Sequence, residues 1–289
     1  MSYHIGPRVL ARQRGRYNPI RFSEVLTHLL SAHVAPTHLD ILSQQFSSRP
    51  PGRATLLQGM QEHLSLDLGP IGLAARQLCS PHALAHIWNK YHSLGQVLAP
   101  SAMQCDPDGV RLSFQPSSGV SAVVELLAQA MSETFQSAVA RNIHRQQSAL
   151  RLGRPYSPEA GLGSVSELAK MFGMPALLVE TCLFFEDEPR ASVGDWIQQS
   201  GFAARRLERW FAEHSVTQQL LRRACCLVGA SQAVLHGRET LGEIAWQFGF
   251  TDAAHLTRVF KRSSGGLAPG VFSGILLSDD IGDSPALAG

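Results

Sequence analysis

The stretch ETLGEIAWQFGFTDAAHLTRVFKRSSGGLAPGVF, residues 239–272, decides how the carboxy-terminal half of this chain folds. Thr240 with Glu243 three residues on is a capping-box pair, the mark of a helix start. Leu241, Ile244, Ala245 and Phe248 then recur at the spacing of one helix face. Gly249 tolerates positive φ and stops that helix. A second short helix follows, with Thr251 or Asp252 able to cap it and Leu256, Val259 and Phe260 as its buried face. Helix, glycine turn and helix at this spacing is the helix-turn-helix arrangement. The second helix turns Ala254, His255, Thr257, Arg258, Lys261 and Arg262 outward. A helix of that kind fits the roughly 12 Å wide major groove of B-DNA, where an arginine such as Arg258 either grips guanine O6 and N7 or holds a phosphate.

Upstream, the same pattern occurs again. In SVGDWIQQSGF, residues 192–202, Ser192 is the cap, Asp195 its partner, and Val193, Trp196 and Ile197 the apolar face, with Gly201 as the stop. The next helix, AARRLERWF over residues 203–211, points Leu207, Trp210 and Phe211 inward and Arg205, Arg206 and Arg209 outward. The run Leu-x-Arg-x-Phe stands at Leu207, Arg209 and Phe211 and again at Leu256, Arg258 and Phe260, 49 residues later. Residues 217–236 read as a connecting helix. Twenty residues at about 1.5 Å each span about 30 Å, close to the roughly 34–36 Å turn of DNA. One chain of this design reaches two successive major grooves.

These residues carry a resemblance. Ile244, Ala245, Gly249, Phe250, Leu256, Arg258, Phe260, Lys261, Gly266 and Pro269 match the pattern of the second helix-turn-helix in AraC-type transcriptional regulators, and the upstream copy stands where that family has its first. The chain departs from the pattern at Ala203, where Ser or Thr usually opens the recognition helix, and at Ala254, where a longer polar side chain is common. Cys225, Cys226 and Gly229 stand in the connecting helix where basic residues are common, and the usual Arg after Pro269 is missing. The resemblance implies a sequence-specific regulator of transcription that binds double-stranded promoter DNA, is not an enzyme and uses no cofactor. It implies DNA contacts from Arg205, Arg206, Arg209, Thr251, Ala254, His255, Thr257, Arg258, Lys261 and Arg262. RNA polymerase, a small-molecule effector and a second copy of the chain are the further partners it allows. The three arginines of the upstream copy are expected to read bases, while Arg258, Lys261 and Arg262 position the protein on the backbone.

Charge follows the motif. Residues 190–274 hold ten Lys/Arg against six acids, a net +4. Residues 1–189 hold fifteen against fourteen, a net +1, and the tail after Gly274 holds three aspartates and no base. A positive excess is the sign a phosphate-facing surface needs. Residues 1–21 hold five arginines and no acid and read as a flexible basic arm. The layout expected is this arm, an effector-binding or dimerisation-like domain over 22–187, the double helix-turn-helix over 190–274 and an acidic tail over 275–289.

The amino-terminal half reads as mostly helical. Val25, Leu26, Leu29 and Leu30 keep helical spacing, as do Ala83, Leu84, Ile87 and Trp88 behind Pro81. SSRPPGR, residues 47–53, is a loop. Val97 to Cys105 and Val110 to Gln115 flank Asp106-Pro107-Asp108-Gly109, a turn sequence that predicts a β-hairpin. Leu127, Met131, Phe135, Val139 and Ile143 make one stripe of a long helix over 120–147. The Gly- and Pro-rich residues 151–164 form a loop, Val165 to Phe172 a short helix, and Ala176 to Phe185, rich in aromatic and β-branched residues, a strand. The fold class expected is therefore mostly α with a small β-hairpin: an α+β sensor-like half, then an all-α double helix-turn-helix. The order helices, hairpin, long helix resembles, diffusely, the sensing domain of one AraC subgroup.

Other chemistries find little footing. No apolar run is long enough to span a bilayer, and the amino terminus has no apolar signal segment, so a cytoplasmic protein is expected. Five irregularly spaced cysteines form no CxxC pair and read as reduced, mostly buried thiols. His82 and His86 share a helix face and His92 lies near, but a third metal ligand of suitable spacing is missing. After Gly161 and Gly163, Ser166 stands where a dinucleotide loop needs glycine. Two alternatives stay open: an interaction protein that has lost DNA binding, suggested by Ala254 and by the short junction between Phe185 and Ser192, and a DNA-repair-type enzyme that fuses similar units to a reactive cysteine.

Overall fold

The computed structural model describes residues 21–31, 52–94, 101–106, 109–114, 122–154 and 162–276. The expected basic arm before Arg21, the loop ahead of Gly52, the outer ends of the hairpin runs, the middle of the 151–164 loop and most of the acidic tail lie outside them. The described chain is mostly helical with one two-stranded antiparallel sheet. No described helix is long and apolar enough to cross a membrane.

Helix α1, Phe22–Leu30, buries Phe22, Leu26 and Leu29 on one face. Helices α2 (Arg53–Leu66), α3 (Pro70–Gln77) and α4 (Pro81–Ser93) follow. Pro70 and Pro81 each take the first helical turn, where a missing N–H costs nothing. Arg76 is buried and holds the α2–α3 corner by donating to the carbonyls of Gly72, Ser65 and Asp67. The carbonyls of Arg76 and Leu78 at the end of α3 accept in turn from Asn142 Nδ2, both at 2.9 Å. The last carbonyls of a helix have no intrahelical partner, and the buried Asn142 amide supplies one here.

Strands β1 (Ser101–Asp106) and β2 (Gly109–Phe114) pair antiparallel from Ser101↔Phe114 to Asp106↔Gly109, the pairing that the predicted hairpin requires. The sheet lies on α4, where Asn89 bonds both backbone groups of Met103 at 2.8 Å. Helix α5, Ala122–Arg151, is longer at its carboxy end than the spacing suggests. Phe135 and Val139 of its stripe are buried, Met131 and Ile143 are half-buried, and Leu127's side chain lies outside what is described. Helix α6, Val165–Met171, is capped by Ser164.

One element departs from expectation. Ala176–Asp187 is a helix, α7, and not a strand. Leu178, Thr181, Cys182 and Phe185 are its buried residues. Their spacing is that of one helix face, and that face packs against the connecting helix of the carboxy-terminal half. β-Branched and aromatic content pointed to a strand, but burial against a neighbouring helix outweighs intrinsic preference.

The remaining helices are α8 (Val193–Ser200), α9 (Ala204–Glu213), α10 (Gln218–His236), α11 (Leu241–Gln247) and α12 (Ala253–Ser263), with a short 3-10 turn at Pro269–Val271. Helix α10 is the hub. It packs on α7, on α1 and on α3. Helix α1 also packs on α12, and Ser263 Oγ there donates to the Leu29 carbonyl. The buried apolar residues make one continuous cluster from Phe22 to Ile275.

Candidate nucleic-acid interface

Two helix pairs repeat one construction. In α8, Ser192 Oγ accepts from Asp195 N at 3.2 Å and Asp195 Oδ2 accepts from Ser192 N at 2.7 Å. In α11, Thr240 Oγ1 accepts from Glu243 N at 3.3 Å and Glu243 Oε2 accepts from Thr240 N at 2.7 Å. Each box satisfies orphan N–H groups of a first turn, which fixes where the helix begins. Accepting the Ser192 N–H holds the Asp195 carboxyl below its ordinary range, and the Thr240 N–H does the same for Glu243. Gly201 and Gly249 then leave their helices at φ 70° and 72°, a left-handed conformation that disfavours any other residue.

The two second helices differ at the start. Helix α12 is capped by Asp252, whose Oδ1 accepts from His255 N at 2.6 Å. Helix α9 begins after Ala203, which has no side-chain cap. Of the two candidate caps read for α12, Asp252 is the one used; Thr251 Oγ1 instead lies 3.1 Å from His255 Nδ1.

Each second helix is anchored by two residues with one long polar face left outside. Leu207 and Phe211 are buried in α9, and Leu256 and Phe260 are buried in α12. Burying each such side chain stabilises by about 1.5–3 kcal/mol, so the helices are held firmly enough to present the opposite face. In α9 that face is Arg205, Arg206 and Arg209, all exposed. Arg206 sits over the ring of Phe202 at 5.9 Å. In α12 it is Ala254, Arg258, Lys261 and Arg262, with Thr251 exposed at the turn. His255 and Thr257, expected outward, are half-buried: His255 turns its ring edge-on to Phe250 at 5.4 Å. Trp210 and Phe250 are half-buried rather than fully enclosed, with Trp210 tilted against His214 at 4.1 Å.

Sequence reasoning missed a contact between the two units. The backbone of Pro189 and Ala191, just ahead of the Ser192 cap, accepts from the guanidinium of Arg222 on α10. Arg190 lies 3.9 Å over the ring of Trp246, which is 64% exposed on α11. No spacing or composition signal marks these residues.

Other candidate chemistry disperses. His82 is exposed, while His92 is buried and stacked on Trp88 at 4.6 Å with Nδ1 accepting from Ser101 N, so the three histidines do not converge. Among the described residues no three His, Cys, Asp or Glu side chains gather to hold a metal. Burial pushes the thiols of Cys105, Cys225 and Cys226 up, away from the reactive thiolate. A cavity of about 310 Å³ opens between α4, β2 and α5, lined by Leu84, Val110, Gln136, Val139, Ile143 and neighbours.

Comparison with known protein families, with curated proteins and with solved structures finds no match.

Proposed function

We propose that the protein is an AraC-type transcriptional regulator that reads DNA through two helix-turn-helix units. The observation that carries this reading is the repeated anchoring of α9 and α12. In each, a buried Leu–Phe pair fixes the helix and a guanidinium-bearing face is left to solvent. Arginine is the side chain best suited to both tasks of such a face, forked recognition of guanine and phosphate neutralisation. The net +4 of residues 190–274 supports the same reading. No chemistry is assigned to the chain. The raised thiols weigh against the reactive cysteine that a repair-type enzyme would need.

Small-molecule control is part of the proposal. The cavity between α4, β2 and α5 has the size that small-ligand sites take. The described side chains that line it carry no charge, which favours a neutral, largely apolar effector.

A second reading has one observation in its favour. Trp246 and Phe202 are exposed aromatic residues on the two units, and Ala254 offers a groove only a methyl group. An interaction protein would use such aromatics as anchors. Selection from random-sequence duplexes separates the two. The DNA reading expects the full chain to enrich a motif with two blocks; enrichment of nothing, at low salt, favours the interaction protein.

A further inference from the structure

The four residues Glu188 to Ala191 form a turn, closed by Ala191 N donating to Glu188 O at 2.9 Å. They end at Ser192, the cap of α8, so wherever they are fixed the first helix-turn-helix is fixed. Arg222 on α10 holds them. Its Nε donates to Ala191 O at 2.7 Å and its Nη2 to Pro189 O at 3.3 Å. Pro189 O also accepts from Cys226 Sγ at 3.3 Å, one turn further along the same helix.

The turn touches the second unit as well. A side chain on Gly249, the stop of α11, would begin 2.5 Å from Pro189 O, 2.8 Å from Arg222 Nη2 and 3.4 Å from Arg190 Cα. Backbone meets backbone there, and only glycine leaves the room. Arg190 adds the stacked contact to Trp246. The covalent path between the two units runs through α9 and α10, and α8, α11 and α12 also pack on α10; this turn is a further tie that joins the two units directly. Two bodies that meet only through one helix can tilt about it. Joined to each other as well, they hold one separation and one phase.

We infer that the Glu188–Ala191 turn, locked by Arg222, makes the protein select DNA by the spacing between its two half-sites. The inference rests on the DNA reading above and adds a specificity determinant to it. Arg222 is a positioning residue: it is half-buried, spends its fork on two carbonyls, and leaves base contact to α9 and α12. One base pair inserted between half-sites shifts them by about 3.4 Å and turns them by about 34°. A rigid pair loses one of its two contacts sets when that happens. A hinged pair follows the DNA.

The test uses the full chain and the two-block motif selected from random duplexes. Affinities are measured on the parent motif and on versions with one base pair inserted or removed between blocks. The unaltered protein should lose about tenfold or more on either change, the size of one well-placed mismatch. Arg222→Ala should flatten that preference to about threefold or less while its affinity for either block alone is kept. Arg222→Lys keeps the stem and the charge but not the two-armed donor, and should flatten it too; it carries the test if the alanine variant does not fold. Equal spacing preference in the folded variant and the unaltered protein overturns the inference and leaves DNA binding standing. Failure to select any motif overturns both.

Discussion

The ring of Phe248 lies directly against the bare Cα of Gly229, so that a methyl group there would overlap it. Gly229 sits inside α10 and Phe248 closes α11, so this contact sets how close the second unit approaches the connecting helix. Glycine inside a helix costs about 0.5–1 kcal/mol relative to alanine. Overpacking a filled site costs about 1–3 kcal/mol. The second effect wins, because the ring cannot swing away without opening the α10–α11 contact. Gly229→Ala should therefore lower the melting temperature by about 2–4 °C, the shift expected for about 1 kcal/mol in a chain of this size. An unchanged or higher melting temperature would show that the ring yields freely.

Ala203 opens α9 with extended backbone and no side-chain acceptor. The three other helix starts of the two units carry Ser192, Thr240 and Asp252. Ala203→Ser places a hydroxyl where the first-turn N–H groups lack a partner. The expected gain is about 1 kcal/mol, read as a higher midpoint in urea with an unchanged slope. A midpoint at or below that of the parent would mean the α9 start does not accept a cap.

Glu186 contributes to the pH dependence of stability with a sign opposite to that of the helix caps. Burial pushes its carboxyl up, although Ser166 N at 2.8 Å and Ser166 Oγ at 2.6 Å donate to it. A raised folded-state value means a contribution fully present in acid, below the ordinary carboxylate range, and lost as pH rises through the folded value. Glu186→Gln removes that loss. The stability of the variant relative to the parent should rise between pH 4 and pH 8 in parallel thermal scans, numbers set by the ordinary carboxylate values of about 4. A relative stability that falls over that range would put the carboxylate in a stabilising role. Asp195, Glu243 and Asp252 act the other way: hydrogen bonds from backbone N–H groups lower them, so their contribution is present at neutral pH and lost as pH falls.

What could be read from the sequence depended on how local the signal was. The capping pairs Ser192/Asp195 and Thr240/Glu243 and the stops at Gly201 and Gly249 need only a few consecutive residues, and each stands where the sequence puts it. The signal at Asp106 and Gly109 is of the same kind, and those two residues pair at the end of the sheet. Residues 176–185, apolar apart from Glu180 and Thr181, satisfy strand and helix patterns alike until the partner of α7, the connecting helix α10, is known. The Arg222 fork and the Arg190–Trp246 stack join residues 31 to 56 positions apart through backbone carbonyls and a ring, and no spacing rule encodes such a pairing. Arg76 and Asn142 in the amino-terminal half escaped notice for the same reason.

On the DNA reading proposed above, α9 and α12 should divide their labour. Arg209 lies among three arginines on an uncapped helix, and Arg258 stands next to Lys261 and Arg262 near the end of α12. Arg209→Ala should lower discrimination between the selected motif and a scrambled duplex by about tenfold, as loss of a base contact does. Arg258→Ala should weaken binding to both duplexes alike. Competition binding at fixed salt checks this, and the reverse pattern would assign base reading to α12.

On the proposed reading, both outward basic faces meet DNA phosphates or bases. The affinity of the full chain for its selected duplex as a function of salt decides whether they do. It compares the parent with Arg205→Ala/Arg206→Ala/Arg209→Ala and with Arg258→Ala/Lys261→Ala/Arg262→Ala. None of these six side chains is buried, so both variants should fold as the parent does. Each variant should bind more weakly, and the slope of log affinity against log salt should shrink by about 0.9 for every phosphate contact removed. Parent-like affinity and slope in both variants would contradict that reading.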